Sequence, residues 1–394
     1  MMPPTLLQAQ GPWQEIGWRG TLALIMTSAS SASLTQAPAP VRFRQLHIGE
    51  GLPRLRSHAD HPPVIDLDSL TGSYVVMLFI DSSAASQQAW QIFDAHPRIG
   101  FDAALVNVIF TESDPRIRAE GDKRYLVPDL AGVAGKLFGA VSLEGERQLV
   151  RPLAVLLDPS LRIMASVPIS DAASLANRLK SLPPPVAHSG TFAPPPILIV
   201  PRVLDPEFCR TLIHYYDTHG GTDSGFMVQV DGRTVGKIDH SAKKRSDCDI
   251  ADIALQNELR RRIERALVPE ILRAFNFNAT RIERYIVACY DETGGHFGPH
   301  RDNTTKGTAH RRFAVTINLN ADEYEGGDLF FPEYGPQTWR CPTGGALVFS
   351  CSLRHGVTKV TRGQRYATLP FLYDEEAAKI RSANLHFIDN GTAP

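Results

Sequence analysis

No cysteine occurs before Cys209, and the five present, Cys209, Cys248, Cys289, Cys341 and Cys351, are odd in number and show no zinc-ligand spacing. A disulfide scaffold or structural zinc is therefore not expected. The thiols read as buried or free groups in a reducing, cytoplasmic compartment. Net charge is also nearly missing: 41 Lys and Arg against 42 Asp and Glu leave −1 over 394 residues. Such a balance gives no general attraction to nucleic acid or to an anionic membrane. No apolar run reaches the roughly 20 residues of a membrane-spanning helix. The run TLALIM at 21–26 follows the acidic Glu15 and is too short for the core of a secretory signal, so export is not expected.

What is present suffices for two domains. Residues 1–40, rich in Pro, Ala, Ser, Thr and Gln, have the composition of a poorly ordered leader. Residues 41–182 alternate buried-type strands (73–80, 103–110, from 152) with helical patterns (84–95, 170–182), which indicates an α/β layer fold. Residues 183–196 hold two Pro triplets around a Ser-Gly centre and read as a semi-rigid linker. Residues 197–394 open with a helix after Asp205-Pro206 and an amphipathic helix over 251–273 broken or bent at Pro269. Short strands with tight turns follow from 281, the pattern of a sandwich or jelly roll with supporting helices.

The phrases YVVMLFI, KLFGA and AVLLDPSLRI resemble the peroxiredoxin branch of the thioredoxin fold. That family carries its peroxidatic cysteine after the first central strand, at a helix N-terminus that lowers the thiol pKa. This chain has Asp81, Ser82, Ser83, Ala84 and Ala85 there. A serine cannot cycle through a sulfenic acid, so residues 41–182 are expected to be a non-peroxidase docking domain, or one that pairs subunits into a homodimer.

Chemistry concentrates in IVACYDETGGHFGPHRD at 286–302. His300 and Asp302 stand one residue apart, which in an extended strand sets an imidazole and a carboxylate on one side. His355, on a later strand-rich stretch, can add a second imidazole. Two histidines and one carboxylate leave half of a metal's coordination sphere open, the arrangement of non-haem Fe(II) oxygenases. His296 reads as a loop residue near the pocket and His310 as part of a surface turn.

YDETGGHFGPHRDN, NLNADEYEGGDLFFP and HGVTKVTRGQR, in this order, resemble the prolyl-4-hydroxylase-type Fe(II)/2-oxoglutarate dioxygenases over about residues 200–376. The resemblance implies a double-stranded β-helix, with Fe(II) on His300, Asp302 and His355 and 2-oxoglutarate as cosubstrate. Ascorbate would serve as reductant. It puts Arg365 on the cosubstrate's distal carboxylate, in preference to Arg362, and Tyr290 near its metal-bound end. Where some members carry a second tyrosine this chain has Asn318, with Thr316 one strand period away, so the remaining donor stays open between them. The activity implied is 2-oxoglutarate- and O2-dependent hydroxylation of a prolyl residue in a protein or peptide, releasing succinate and CO2. Two alternatives stand beside it: hydroxylation of a free amino acid or other small metabolite, and a non-enzymatic binding or assembly module. The basic stretch 231–247, with Lys237, Lys243, Lys244 and Arg245, reads as a mobile lip over the site whose charges lie at its rim.

Overall fold

The apolar run at 73–80 forms a strand because β-branched and aromatic residues dominate it and no polar residue interrupts it. In the computed structural model, which describes residues 41–51, 67–110, 119–143 and 149–392, that strand is β1, Tyr74–Ile80, buried at every position. It pairs in parallel with β2 (Ala103–Ile109), which pairs in parallel with β3 (Arg124–Pro128). On its other side it pairs antiparallel with β4 (Leu153–Leu157), and β4 with β5 (Ile163–Pro168). The five-stranded order is thus β3-β2-β1-β4-β5. Helices α1 (Ala84–Asp94) and α3 (Ala172–Ser181) pack on the face that carries Tyr74, Val76, Leu78 and Ile80. On the opposite face Val75, Met77 and Phe79 pack with Phe138 of the short helix α2 (Val133–Phe138) and with Leu67 and Leu70. Both faces of the sheet are covered, which is why its strands read as continuous apolar runs.

The second half is built on two antiparallel sheets, neither closed as a barrel among the described residues. The larger runs Arg281–Glu283, Phe371–Tyr373, Phe313–Asn318, Arg365–Thr368, Ile286–Tyr290, Ser246–Asp249, Thr222–Asp223, with Ala346–Ser350 and β6 (Ile197–Val200) branching from Phe313–Asn318. The smaller runs Lys243–Lys244, His296–His300, His355–Val357, Leu329–Phe330, Thr338–Trp339. Helix α4 (Pro206–His219) is capped by Asp205, whose side chain accepts from Phe208 N at 2.8 Å. Of the two outcomes expected at Pro269, the helix breaks: α5 (Ile253–Ala266) ends and α6 (Val268–Phe275) begins with Pro269 in its first turn. Leu212, Leu259, Ile263 and Ile271 from these three helices share one core with Val287, Ile317 and Val348 of the large sheet.

Two readings need correction. The basic stretch is not one loop: Phe226–Val230 and Arg233–Lys237 make a tight hairpin, Lys243–Lys244 joins the small sheet and Ser246–Asp249 the large one. His310 is not on a surface turn: it is 2 % exposed and lies 2.5 Å from Glu283 Oε2. The leader expected over 1–40 falls outside the described residues. No helix among the described residues is long and apolar enough to cross a membrane.

The α/β layer touches the β-rich half through the turn after Leu67–Leu70. Gly72 adopts φ +84, and a Cβ there would lie 2.6 Å from Pro332 O. Gly190, at φ +83, has nothing within 4 Å. Both glycines relieve backbone strain of about 1–2 kcal/mol, and only Gly72 also relieves a clash. Gly72→Ala should therefore lower the urea midpoint clearly more than Gly190→Ala. Equal shifts would show that this contact between the layers yields freely.

Candidate active site

Strand His296–His300 delivers His300 at its end, and the chain then turns so that Asp302 N donates to Cys351 O at 3.0 Å. Strand His355–Val357 pairs antiparallel with it, His300 opposite His355. The ligand atoms of His300, Asp302 and His355 all lie within 4.8 Å of one another. Asp302 Oδ1 is 3.3 Å from His300 Nε2, and Oδ2 is 3.4 Å from His355 Nε2. Each imidazole turns its other nitrogen to a backbone carbonyl: His300 Nδ1 to Gly298 O at 2.9 Å, His355 Nδ1 to Leu353 O at 3.1 Å. Those contacts favour a proton on Nδ1 and leave both Nε2 lone pairs facing Asp302. Burial, with His300 beside it, pushes His355 down to about 4, so its ring is neutral at pH 7. Burial alone would raise the Asp302 carboxyl, but His355, His300 and Arg311 hold it well below the ordinary range. Two imidazoles and one carboxylate are the donor set that suits Fe(II).

These groups open on a cleft of about 840 Å³. Arg365, on strand Arg365–Thr368, is 2 % exposed, and its Nη1 has no hydrogen-bond partner. Asn318 Oδ1 accepts from its Nε and Nη2 at 3.4 Å, while Asn318 Nδ2 is fixed on Cys341 O at 2.8 Å. A buried guanidinium with one orphan nitrogen fits a carboxylate ligand. Tyr290 is 2 % exposed, its ring 4.9 Å from the Arg365 guanidinium and its hydroxyl accepting from Arg245 Nη1 at 3.4 Å. Thr316 lines the cleft and is 7 % exposed. Arg362 points outward to Glu325 at 2.8 Å, and His296 turns to the carbonyls of Gly294 and Ser241, away from the cluster.

The sequence reading missed two groups of residues. Lys243 and Arg245 are not rim charges; they are 3 % and 5 % exposed and line the cleft. Their spacing held the signal, since positions 243, 245 and 247 share one side of an extended chain. Arg245 is paired with Asp247 at 2.5 Å, and Lys244, facing the other way, bonds Thr293. The second group surrounds Arg301, between the two motif ligands. Arg301 Nε donates to Asp68 Oδ2 at 3.0 Å, Nη2 to Glu333 Oε1 at 2.8 Å, and Nη1 to Ser352 O. Glu333 Oε2 in turn accepts from Arg354 N at 3.0 Å, one residue before His355. A carboxylate from the turn Leu67–Leu70 thus holds the arginine that separates His300 from Asp302.

Arg301→Ala would leave Asp68 and Glu333 facing each other across a half-buried gap and should cost about 3 kcal/mol of unfolding free energy. An Asp68→Ala/Arg301→Ala double-mutant cycle should show a coupling above about 0.5 kcal/mol. Additive losses would show that the bridge contributes nothing.

A family model described as the 2OG-Fe(II) oxygenase superfamily matches residues 285–373. A PKHD-type hydroxylase of Cupriavidus metallidurans is 38% identical over 86 residues, which is 20% of this chain and 38% of that protein, well under two thirds of its length. The PKHD-type hydroxylase GOX0559 of Gluconobacter oxydans is 30% identical over 184 residues, covering 44% of this chain and 75% of the relative. Among solved structures, a prolyl hydroxylase of Trichoplax adhaerens in complex with a hypoxia inducible factor peptide fragment is 19% identical, with a TM-score of 0.36, over 54% of this chain and 94% of that one. With His300, Asp302, His355 and Arg365 inside the matched segment, the chain belongs to the PKHD-type hydroxylases of the 2OG-Fe(II) oxygenase superfamily.

Proposed function

We propose that this protein is an Fe(II)/2-oxoglutarate-dependent dioxygenase that hydroxylates a prolyl residue in a protein or peptide. The observation that carries the reading is one cleft holding both the His300, Asp302, His355 cluster and the buried, partly unpaired Arg365. His300 Nε2, His355 Nε2 and the Asp302 carboxylate would hold Fe(II). Arg365 would take the distal carboxylate of 2-oxoglutarate, oriented by Asn318, with Thr316 on the same wall and Tyr290 toward the metal. When bound, Fe(II) and 2-oxoglutarate supply oxidation by O2, with release of succinate and CO2. The protein's own contribution is positional. The carbonyls of Gly298 and Leu353 fix the imidazole rings, Phe297 stacks on His300 at a centroid distance of 3.5 Å, and Phe349 packs on His355 at 4.4 Å. These apolar rings keep water from the inner side of the ligands and strengthen every charge interaction there.

The two antiparallel sheets support the reading of residues 197–394 as a distorted double-stranded β-helix. The strand order β3-β2-β1-β4-β5, with helices on both faces, supports a thioredoxin-like reading of residues 41–182. Where peroxiredoxins need a thiol, Ser83 caps α1, its hydroxyl accepting from Ser86 N at 3.2 Å. That supports a scaffold role, and the Asp68 contact to Arg301 gives the scaffold something to hold.

Arg365→Ala should raise the 2-oxoglutarate concentration for half-maximal succinate formation about ten- to a hundredfold, the worth of a charge-assisted hydrogen bond of about 1.5–3 kcal/mol. Arg362→Ala should change it little. A larger effect at Arg362 would reverse the assignment. Asp302→Ala should abolish stoichiometric iron retention, measured by metal analysis after desalting. Full retention would remove the carboxylate from the ligand set.

A further inference from the structure

The cleft carries more basic side chains than the chemistry above uses. Among its basic residues, Arg301 is paired with Asp68 and Glu333, Arg311 with Glu283, and Arg245 with Asp247, and Arg354 has a contact of its own. Lys243, Arg284 and Arg365 have no carboxylate within ion-pair distance among the described residues. In the reading above Arg365 belongs to 2-oxoglutarate. Fe(II), the Asp302 carboxylate, the two carboxylates of 2-oxoglutarate and Arg365 then sum to zero charge. Lys243, which is buried, and Arg284, which is half-buried, are left over.

Both are held at a cost. Lys243 Nζ donates to Ser224 Oγ at 2.7 Å and Gly225 O at 2.5 Å, which leaves one of its three N–H bonds unspent. The nitrogen lies 5.1 Å from the centre of the Phe297 ring, the ring that stacks on His300. Burial, and then Arg245, push its ammonium down to about 6, so without an anion beside it the amine is largely neutral at pH 7. Arg284 spends Nε and Nη2 on one acceptor, Leu369 O, at 3.2 and 2.9 Å, and its guanidinium lies over the Phe371 ring at 4.7 Å. Its backbone sits at φ 72, a left-handed conformation that a residue other than glycine rarely adopts. Strain of this kind persists where a site needs the side chain in one place. A desolvated, unpaired cation is destabilising, and a bound anion offsets that cost, in Lys243 by favouring the ammonium form.

We propose that Lys243 and Arg284 form a receptor for a carboxylate carried by the substrate, separate from the carboxylate that Arg365 takes. The inference rests on the hydroxylase reading and narrows its substrate. The carboxylate has two possible sources with one chemistry: the α-carboxylate of a free amino acid, or an Asp or Glu side chain beside the prolyl residue of a peptide.

The test uses the full chain with Fe(II) and 2-oxoglutarate under anaerobic conditions and follows the visible charge-transfer absorption of that complex, so no turnover is needed. Two probe pairs differ only in the anion: L-proline against L-prolinamide, and acetyl-Ala-Asp-Pro-Ala-amide against acetyl-Ala-Asn-Pro-Ala-amide. The acid of at least one pair should perturb the band at a concentration about tenfold lower than its amide, equivalent to about 1.4 kcal/mol. The pair that discriminates identifies the source. Lys243→Met and Arg284→Met should each shrink that preference, and Lys243→Arg should restore much of it. Acids and amides acting alike, or no probe acting at all, would overturn the proposal while the band itself upholds the hydroxylase reading. Failure of the band to form would remove that reading, and this one with it. If both Met variants instead shift the 2-oxoglutarate concentration at which the band appears and leave probe preference intact, the two cations serve the cosubstrate and the proposal falls.

Discussion

The site depends on Arg301. Two imidazoles and a carboxylate can share a sphere of 4.8 Å only if the backbone that bears them is held against its tendency to relax. His300 ends one strand, Asp302 lies beyond it in a turn, and His355 starts another strand. Arg301 is the one residue adjacent to both of the first two. Its guanidinium spans Asp68, Glu333 and Ser352 O, and Glu333 reaches on to the amide of Arg354. One cation therefore ties both ligand-bearing strands to each other and to a turn more than two hundred residues earlier in the chain. Side-chain exposures of 10 % for Arg301, 20 % for Asp68 and 15 % for Glu333 place this bridge between surface pairs, which contribute little, and fully buried ones. In that range, geometry decides, and a fork that meets two carboxylates and a carbonyl uses the guanidinium as few lysines could.

The same balance explains how the cleft tolerates its other cations. Tyr290 stands between two of them, its ring 5.7 Å from the Arg245 guanidinium and 4.9 Å from that of Arg365. Phe371 stands between Arg284 and Arg311, at 4.7 and 4.0 Å. An aromatic face replaces part of the hydration a buried cation loses without neutralising it. Arg365 and Arg284 thus remain available to an anion, whereas Arg245 and Arg311 are already engaged by Asp247 and Glu283. Glu283 shows the alternative: His310 and Arg311 both bind it, and that corner of the cleft is saturated.

What the sequence made legible follows from range. The ligand set was readable because His300 and Asp302 are one strand period apart and His355 opens a β-rich run. That Arg365 faces inward and Arg362 outward was readable because Gly363, at φ +73, turns the chain between them. The α/β layer was readable because its strands, covered on both faces, are uninterrupted apolar runs. Lys243 and Arg245 were misread because a cluster of Lys and Arg normally marks a solvated loop, and composition was weighed over the period-2 alternation in the same residues. His310 was misread for the same reason: polar neighbours suggested a surface, yet Glu283, far away in sequence, makes its burial tolerable. The contact of Asp68 with Arg301 had no local signature at all, because nothing in LDSL distinguishes a carboxylate that will meet a metal-site arginine from one that will meet water.

Arg284 shows how local and distant demands meet. RIERYIVACY reads as one strand, yet the structure divides it into Arg281–Glu283 and Ile286–Tyr290 with the break at Arg284. The first piece pairs at the sheet edge with Phe371–Tyr373, and the second lies between Arg365–Thr368 and Ser246–Asp249. A straight strand would keep strict alternation, and Glu283, Arg284 and Tyr290 could not all line one cleft, since residues 283 and 284 would face opposite sides. The left-handed residue breaks that alternation and lets adjacent side chains serve the same cavity. Glycine would adopt this backbone with less strain but would bring no charge. An arginine there instead places a guanidinium on the wall of the cleft, over the Phe371 ring.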